Sequence, residues 1–432
     1  MTVQPEYRSG TGVVHDLVIQ STVNSNTIDF KQLVTEISYY ESIDSPVVSM
    51  YLDVIDAISF RNTLPLVGGE KVTYSISDST RNAKRIRGDM TVYKLSNRVR
   101  AKQNVDSYEL NLTTNTLLQD QYTVISQGLK TTNISDMVRQ IFSTHIAPLT
   151  NKPLITVEDT EGTFTTVLPR VSPLTSMRYF ADEAKSSNDR STSNFFFFEN
   201  SRGFHFASLQ YLMRQAPKAT FYYFEDRLRN DDTFDRSRIV ALEQSVGFDL
   251  MSGVTNGQLG IQVLTLDPVA KRFRTSQYLY NRDYGQVDHI TAHPRVAPPV
   301  AQRFGSSISR EKFIVSNSYQ GTLPYITSND GTVQNTFRRR QEFLARETSS
   351  ISEMTSSMTK VMVHGNSDIA AGDTIQIIIP KAGESSLRDK QADSFVTGKY
   401  LVTAVSHRLI TGGMHYSTLL ECVADSYSSP IV

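Results

Sequence analysis

VMVHGNSDIAAGDTIQIIIP, from Val361 to Pro380, is followed by GKYLVTAVSHRLI from Gly398 to Ile410 and HYSTLLECVADS from His415 to Ser426. Apolar and polar side chains alternate through all three stretches. They read as strand, Gly-Asp turn, strand, long loop, strand, Gly-Gly turn and strand, a small closed or half-closed sheet. A weaker echo lies far upstream, where LPLVGGEKVTYSI (Leu64 to Ile76) has the shape of SDIAAGDTIQIII (Ser367 to Ile379). In both, an apolar turn passes through Gly and an acidic residue into an alternating strand. Gly supplies a permissive φ there, and the carboxylate can cap freed backbone N–H groups. The echo has two readings, a duplicated unit or a turn pattern that is common in itself.

Working outward, the first 130 residues are β in character. HDLVIQSTV, VVSMYLDVIDA, EKVTYSIS, MTVYKLSNRVR and SYELNLT each alternate and are bounded mostly by Gly, Pro, Asn or Asp. The segment from Asp29 to Tyr40 is open between a short helix and a strand. Ser135 is placed to cap a helix with Met137, Val138, Ile141, Phe142 and Ile146 on one face. Ser172 and Pro173 make a second helix start, with Leu174, Met177, Phe180 and Ala184 buried. FFFFE, NSRG and FHFASLQ then form a hairpin in which Gly203 supplies a permissive backbone. A helix is predicted from Arg238 to Ser245, a second hairpin around Pro268, a long surface excursion from Asp283 to Thr336, and a helix from Phe337 to Met358. Phe337, Leu344, Ile351 and Met354 are its expected buried positions.

Composition limits the function classes. A chain of 432 residues exceeds what one core organises, so two or more packing units are expected. Lys and Arg together number 44, as do Asp and Glu, which removes bulk attraction to nucleic acid or anionic membrane. Cys422 is the single cysteine, so no intrachain disulfide and no cysteine metal cluster can form, which suits a reducing cytoplasm. The N-terminal MTVQPEYRSGTG lacks signal-peptide character, and no run is apolar enough to span a membrane.

Candidate chemical groups each have a plainer structural account. His289 and His293 have the spacing of a helical zinc pair, but HITAHP lacks the glutamate after the first His and runs into Pro294. His205 alternates with Phe204 and Phe206 and is expected at a surface or an interface. Gly253, Gly257 and Gly260 lack the Lys-Ser or Lys-Thr of a phosphate loop and read as a turn. Arg338, Arg339 and Arg340 open a helix whose dipole mildly opposes them, as a solvated run or an interface anchor. Asp231, Asp232 and Asp235 lack the Gly and distal Glu of a calcium loop. The rings from Phe195 to Phe198 divide between two strand faces, both buried or one at a subunit contact. No catalytic, cofactor-binding or metal residue is assigned.

In order and spacing, LPLVGGE, the helical module, FFFFENSRGFHFASL, GNSDIAAGDTI and GKYLVTAVSH resemble the baseplate central hub proteins of contractile-tailed, T-even type phages. The likeness is least over Asp283 to Thr336. It implies a β-rich α+β fold with two tail-tube-like antiparallel β-barrel domains and inserted α+β modules. The first barrel would span 1–130, an α+β module 131–215, the second barrel 216–250 and 355–432, and an insert 251–354. It further implies a non-enzymatic virion component, assembled in the host cytoplasm. A homotrimer would present six barrels, join the hexameric tail tube to the trimeric central spike and leave a channel for transient DNA passage. Tail tube and spike are the implied partners, with baseplate wedge and tape measure proteins as further candidates and no stable membrane insertion. Two alternatives stand beside it. One is a receptor-binding or polysaccharide-degrading tail protein, which the absence of Trp disfavours; the other is the hub of a contractile injection system.

Overall fold

The computed structural model describes residues 9–24, 26–58, 64–80, 82–102, 105–188, 190, 192–223, 236–246, 248–268, 271–315, 338–381 and 392–430. The first strands are β1 (Gly12–Gln20), β2 (Thr27–Asp29), β3 (Val34–Ser42), β4 (Ser49–Asp56), β5 (Lys71–Asp78), β6 (Ile86–Lys102) and β7 (Val105–Thr113). A helical module follows with α1 (Asn115–Asp120), β8 (Ile125–Thr132), α2 (Ile134–Ile141), β9 (Leu154–Val157), β10 (Phe164–Val171), α3 (Pro173–Glu183), β11 (Phe195–Glu199), β12 (Phe204–Ser208) and α4 (Leu209–Arg214). The chain continues through β13 (Thr220–Tyr223), β14 (Arg238–Val246), α5 (Leu250–Asn256), β15 (Gly260–Asp267), β16 (Arg272–Leu279), α6 (Tyr280–Asp283), β17 (His293–Pro294), α7 (Pro298–Phe304) and β18 (Arg310–Val315). It closes with α8 (Arg338–Thr355), β19 (Met358–His364), β20 (Thr374–Ile378), β21 (Gly398–Ile410), β22 (His415–Val423) and β23 (Ser426–Tyr427).

One sheet runs β2-β1-β5-β6-β7-β4-β3-β21-β20-β13-β14-β19-β22, and β22 pairs back onto β21. Strands β21, β20, β13, β14, β19 and β22 therefore close a barrel. The N-terminal strands follow the order β1-β5-β6-β7-β4-β3. Matching the two sets in chain order, β13 with β1, β14 with β3 and β19 to β22 with β4 to β7, gives the same neighbour order in both.

Four details show that the match is a duplication. The N–H of Gly69 donates to the carbonyl of Val92 at 2.8 Å, and that of Val92 to Glu70 at 2.9 Å; the N–H of Gly372 donates to Val402 at 2.9 Å, and that of Val402 to Asp373 at 2.9 Å. A register shift falls between Val92 and Lys94 against β7, and between Val402 and Ala404 against β22. Another falls between Val34 and Glu36 against β4, and between Ile239 and Ala241 against β19. Gly69 and Gly372 both hold positive φ, at 86° and 89°, as the turns require. The units differ at their first strand, where β13 runs parallel to β14 and β20 whereas β1 is antiparallel to β5, and along β6, whose shifts after Ser96 and Arg100 have no counterpart in β21.

The N-terminal unit does not close on itself. Its β3 pairs antiparallel with β21, from Glu36 opposite Ile410 to Ser42 opposite Ala404. On its other flank Thr11 bridges His415, and Gly12 donates to Met414 at 2.8 Å. The tip of the β21–β22 hairpin thus serves both units, and Leu409 and Tyr416 are buried in the first core with Tyr39, Tyr74 and Leu52.

The helical module packs its own core from Met137, Val138, Ile141, Phe142, Ile146, Met177 and Phe180, all on the expected faces. Ser172 caps α3 as read, accepting the N–H of Thr175 at 3.4 Å, whereas α2 begins after Asn133 instead of Ser135. Strand β8 pairs with β10 in this layer. The hairpin β11–β12 divides its rings by parity. Phe195, Phe197, Phe204 and Phe206 enter the helical core, while Phe198 and Ala207 enter the core of the second barrel. Both faces are buried, so the hairpin is the shared wall between the two.

Several local expectations are corrected. Asp29 to Tyr40 resolves as strand β3 over its second half. Residues 238–245 lie in strand β14, not a helix, because pairing with β19 and burial of Ile239 override the helical propensity of ALEQ. Gly203 is required for space and not for φ, since a Cβ there would lie 2.4 Å from the carbonyl oxygen of Pro153. Helix α8 buries Met354 and half-buries Leu344 as expected, but also turns Ala345, Ser349 and Glu353 inward against β15 and β16 and leaves Ile351 46% exposed; Phe337 lies outside the described residues. The hairpin around Pro268 forms in full register, from Gly260 opposite Leu279 to Asp267 opposite Arg272.

Candidate functional site

The two β units and the helical module meet at one buried carboxylate. Inward parity along β3 carries Ile37, Tyr39 and Glu41 to the same side, so Glu41 is buried at the seam with β21. Its Oε1 accepts the N–H of Ala371 at 2.7 Å, and its Oε2 accepts the N–H of Ser201 at 2.6 Å and the hydroxyl of Tyr39 at 3.3 Å. Burial pushes its carboxyl up to about 7, against the pull of those backbone donors and of Lys152. One side chain of the first barrel therefore fixes a turn of the second and the tip of the β11–β12 hairpin.

Charges around this point tie the same three units. Lys152 Nζ lies 2.8 Å from Glu199 Oε1 and donates to the carbonyl of Asn200 at 2.9 Å. Arg202 grips Asp373 with both terminal nitrogens, Nη1 reaching Oδ1 at 2.9 Å, and Lys218 Nζ lies 3.3 Å from the same carboxylate. Asp373 also accepts the N–H of Ala370 at 3.0 Å, and Asn200 Nδ2 donates to the carbonyl of Ala371 at 3.1 Å. A second node joins the barrels beside it. There Arg236 Nη2 reaches Asp78 at 3.0 Å, Asp368 at 2.8 Å and Asn366 at 3.3 Å.

His289, Glu353 and Asp425 form a third cluster, in which one nitrogen or oxygen from each could converge on a metal ion. The hydrogen bonding argues otherwise. His289 Nδ1 lies 2.8 Å from Asp425 Oδ2, and Nε2 lies 2.9 Å from the carbonyl oxygen of Tyr284. Both partners are acceptors, so both ring nitrogens donate and the imidazole is cationic, with no lone pair for a metal. Burial opposes that charge, but the bond to Asp425 and its carboxylate outweigh it and raise His289 to about 9. Burial raises Glu353 to about 8, and Tyr280 donates to it at 3.2 Å. The cluster locks the segment from Tyr284 to Arg295 onto the chain after β22, where Ile290 donates to Asp425 at 3.0 Å and Thr291 to Ser426 Oγ at 2.7 Å.

The remaining groups singled out in the sequence are dispersed. His293 sits in the short β17 opposite Tyr427, so the helical pairing with His289 is not formed. His205 is buried, contrary to expectation; it stacks on Phe198 with centroids 5.0 Å apart, and Thr156 Oγ1 lies 3.1 Å from its Nδ1. Gly253 lies in α5, Gly257 ends that helix at φ 84°, and a Cβ on Gly260 would lie 2.0 Å from the carbonyl oxygen of Ser307. Arg338, Arg339 and Arg340 begin α8, with side chains outside the described residues, as are Asp231, Asp232 and Asp235. Cys422 is buried, and its thiol is pushed up by burial. The seam charges were missed in sequence. Their signal is strand parity, since Glu41 follows Tyr39 and Glu199 follows Phe197 onto a core-facing side.

No protein-family model and no curated protein matches the chain. Solved structures do match along nearly its whole length. The tail protein from Neisseria meningitidis MC58 is 10% identical, with 95% of this chain and 97% of that one covered at a TM-score of 0.53. The 43 kDa tail protein of prophage MuSo2 from Shewanella oneidensis is 9% identical, with 95% and 99% covered at a TM-score of 0.54. The fold is thus that of these two tail proteins, β-rich, with one closed barrel, a second β unit of the same strand order and an interposed helical module.

Proposed function

We propose that this chain is a structural, non-enzymatic component of a phage tail, the central hub of its baseplate. In this reading three copies form a ring that presents six barrels to the hexameric tail tube. The opposite face meets the trimeric spike, and the centre stays open for DNA. The observation that carries the reading is the duplication, two β units of one strand order, the second closed into a barrel, joined edge to edge through β3 and β21. A repeated unit inside a threefold assembly lets one ring match both a threefold and a sixfold neighbour. The likeness to two solved tail proteins over nearly the whole chain supports it. So does the character of the buried charges, whose described contacts join segments of this chain.

Light scattering across a concentration series, with the protein alone and mixed with the neighbouring spike gene product, tests the reading. A trimer in either condition, with sixfold features on one face by electron microscopy, is the expected result. A monomer indifferent to the spike overturns it.

A further inference from the structure

Among the described residues, the duplication leaves two strand edges unmatched. Inside the chain, the far half of β21 beyond its pairing with β20 is covered by β3, from Ala404 to Ile410. Its counterpart in the first unit is the far half of β6. That strand pairs with β5 only from Ile86 to Thr91, and among the described residues no strand pairs with the same edge from Lys94 onward. The counterpart of β3 is β14. It pairs with β13 only at Arg238 and Ile239, and among the described residues no strand covers that edge from Ala241 to Val246. Each barrel therefore offers the half of the seam that the other barrel, within the same chain, has already used.

Resting on the ring-forming reading above, we infer that β14 of one copy pairs antiparallel with the far half of β6 of the next, repeating the β3–β21 seam between copies. The occupant of each free edge is thus a second copy of this chain. An unpaired edge is a template for another strand, and here both halves of the template are present on one molecule at non-overlapping places. Such a contact is heterologous, and three repeats close a ring if the seam rotates each barrel by about a sixth of a turn. The side chains agree with it. Lys94 is exposed on β6 and Glu243 on β14, whereas Arg98 and Arg100 already lie 2.7 and 3.9 Å from Asp106 of the same chain.

Register follows from the shared bulges at Val92 and Val402 once a further shift in β6, between Ser96 and Val99, which β21 lacks, is counted through β7. Ser107 and Ser417 hold equivalent places in β7 and β22, so Val99 corresponds to Arg408. Through Tyr51 and Lys360 of β4 and β19, Ser38 corresponds to Glu243. Arg408 faces Ser38 inside the chain, so Val99 faces Glu243 of the next copy.

The test uses the full chain with Val99→Cys and Glu243→Cys together. Val99 is 61% exposed and Glu243 is exposed, so both changes are compatible with folding, and buried Cys422 stays out of reach. Mild oxidation, with the spike present if the trimer needs it, should give a covalent trimer as the end product, lost in either single variant. Directly opposed strand positions have the Cα separation a disulfide needs. Glu243→Lys should in addition shift trimer formation to higher protein concentration. A trimer in which the pair stays reduced, or cross-links no faster than Val99→Cys with Tyr122→Cys on the 85% exposed Tyr122, overturns the pairing and leaves the hub reading standing. A chain that remains monomeric with and without the spike overturns both.

Discussion

Glu41 Oε1 accepts the backbone N–H of Ala371 at 2.7 Å across the junction of the two barrels. The same carboxylate accepts Ser201 at 2.6 Å, so its removal leaves a buried donor at Ala371 and a half-buried one at Ser201 unpaired in separate units at once. Glu41→Ala should cost about 2–4 kcal/mol, from unsatisfied N–H groups at roughly 1–3 kcal/mol each. Urea unfolding measures this directly. A change below about 0.5 kcal/mol, the range of ordinary surface substitutions, would mean that the junction does not depend on this carboxylate.

The His289 cluster predicts a pH dependence. With its folded pKa raised from 6.5 to about 9, His289 contributes stability that is complete below pH 6.5 and lost as pH rises to about 9. The loss is on the order of 3 kcal/mol. Glu353, raised to about 8, acts in the same direction, its favourable proton being retained only below that pH. The urea midpoint should therefore fall between pH 6.5 and 9, and His289→Gln should flatten the curve. An unchanged slope in that variant would contradict the doubly donating imidazole.

That imidazole also leaves zinc without a ligand nitrogen. Adding zinc at neutral pH should leave Tm unchanged, because only ligands that bind the folded state raise it. Dose-dependent stabilisation that vanishes in His289→Gln would restore a metal role to His289, Glu353 and Asp425.

Ile377 is fully buried in the core of the second barrel, on β20 opposite Gly398. Ile377→Asp places an unpaired carboxylate among Phe221, Ile375 and Leu401 and should cost several kcal/mol, enough to lower yield as well as Tm. Native-like thermal stability in this variant would disprove the strand's inward face.

Gly203→Ala tests close approach instead of φ. A methyl group would lie 2.4 Å from the backbone oxygen of Pro153, which has little freedom to move. Destabilisation of about 1–3 kcal/mol is expected from overpacking, measured by chemical denaturation. A neutral result would show that β9 can shift away from the hairpin.

Alternation alone was enough to place most of the barrel strands, and helical spacing placed the two amphipathic helices of the module, because both periodicities follow from backbone geometry and from which face must leave water. The same parity divided Phe195 to Phe198 between two cores. Residues 238–245 failed that reading, since ALEQ favours helix and only the pairing of β14 with β19 overrides it. The duplication was visible in LPLVGGE and SDIAAGD only as one of two readings. Its proof lies in the shared strand order and in bulges at Val92 and Val402, which depend on the neighbouring strand and leave no local mark. Glu41, Arg202 and Asp373 likewise carry no motif. Burial and partners gave them their role, and those exist only once segments hundreds of residues apart in the chain have been brought into contact.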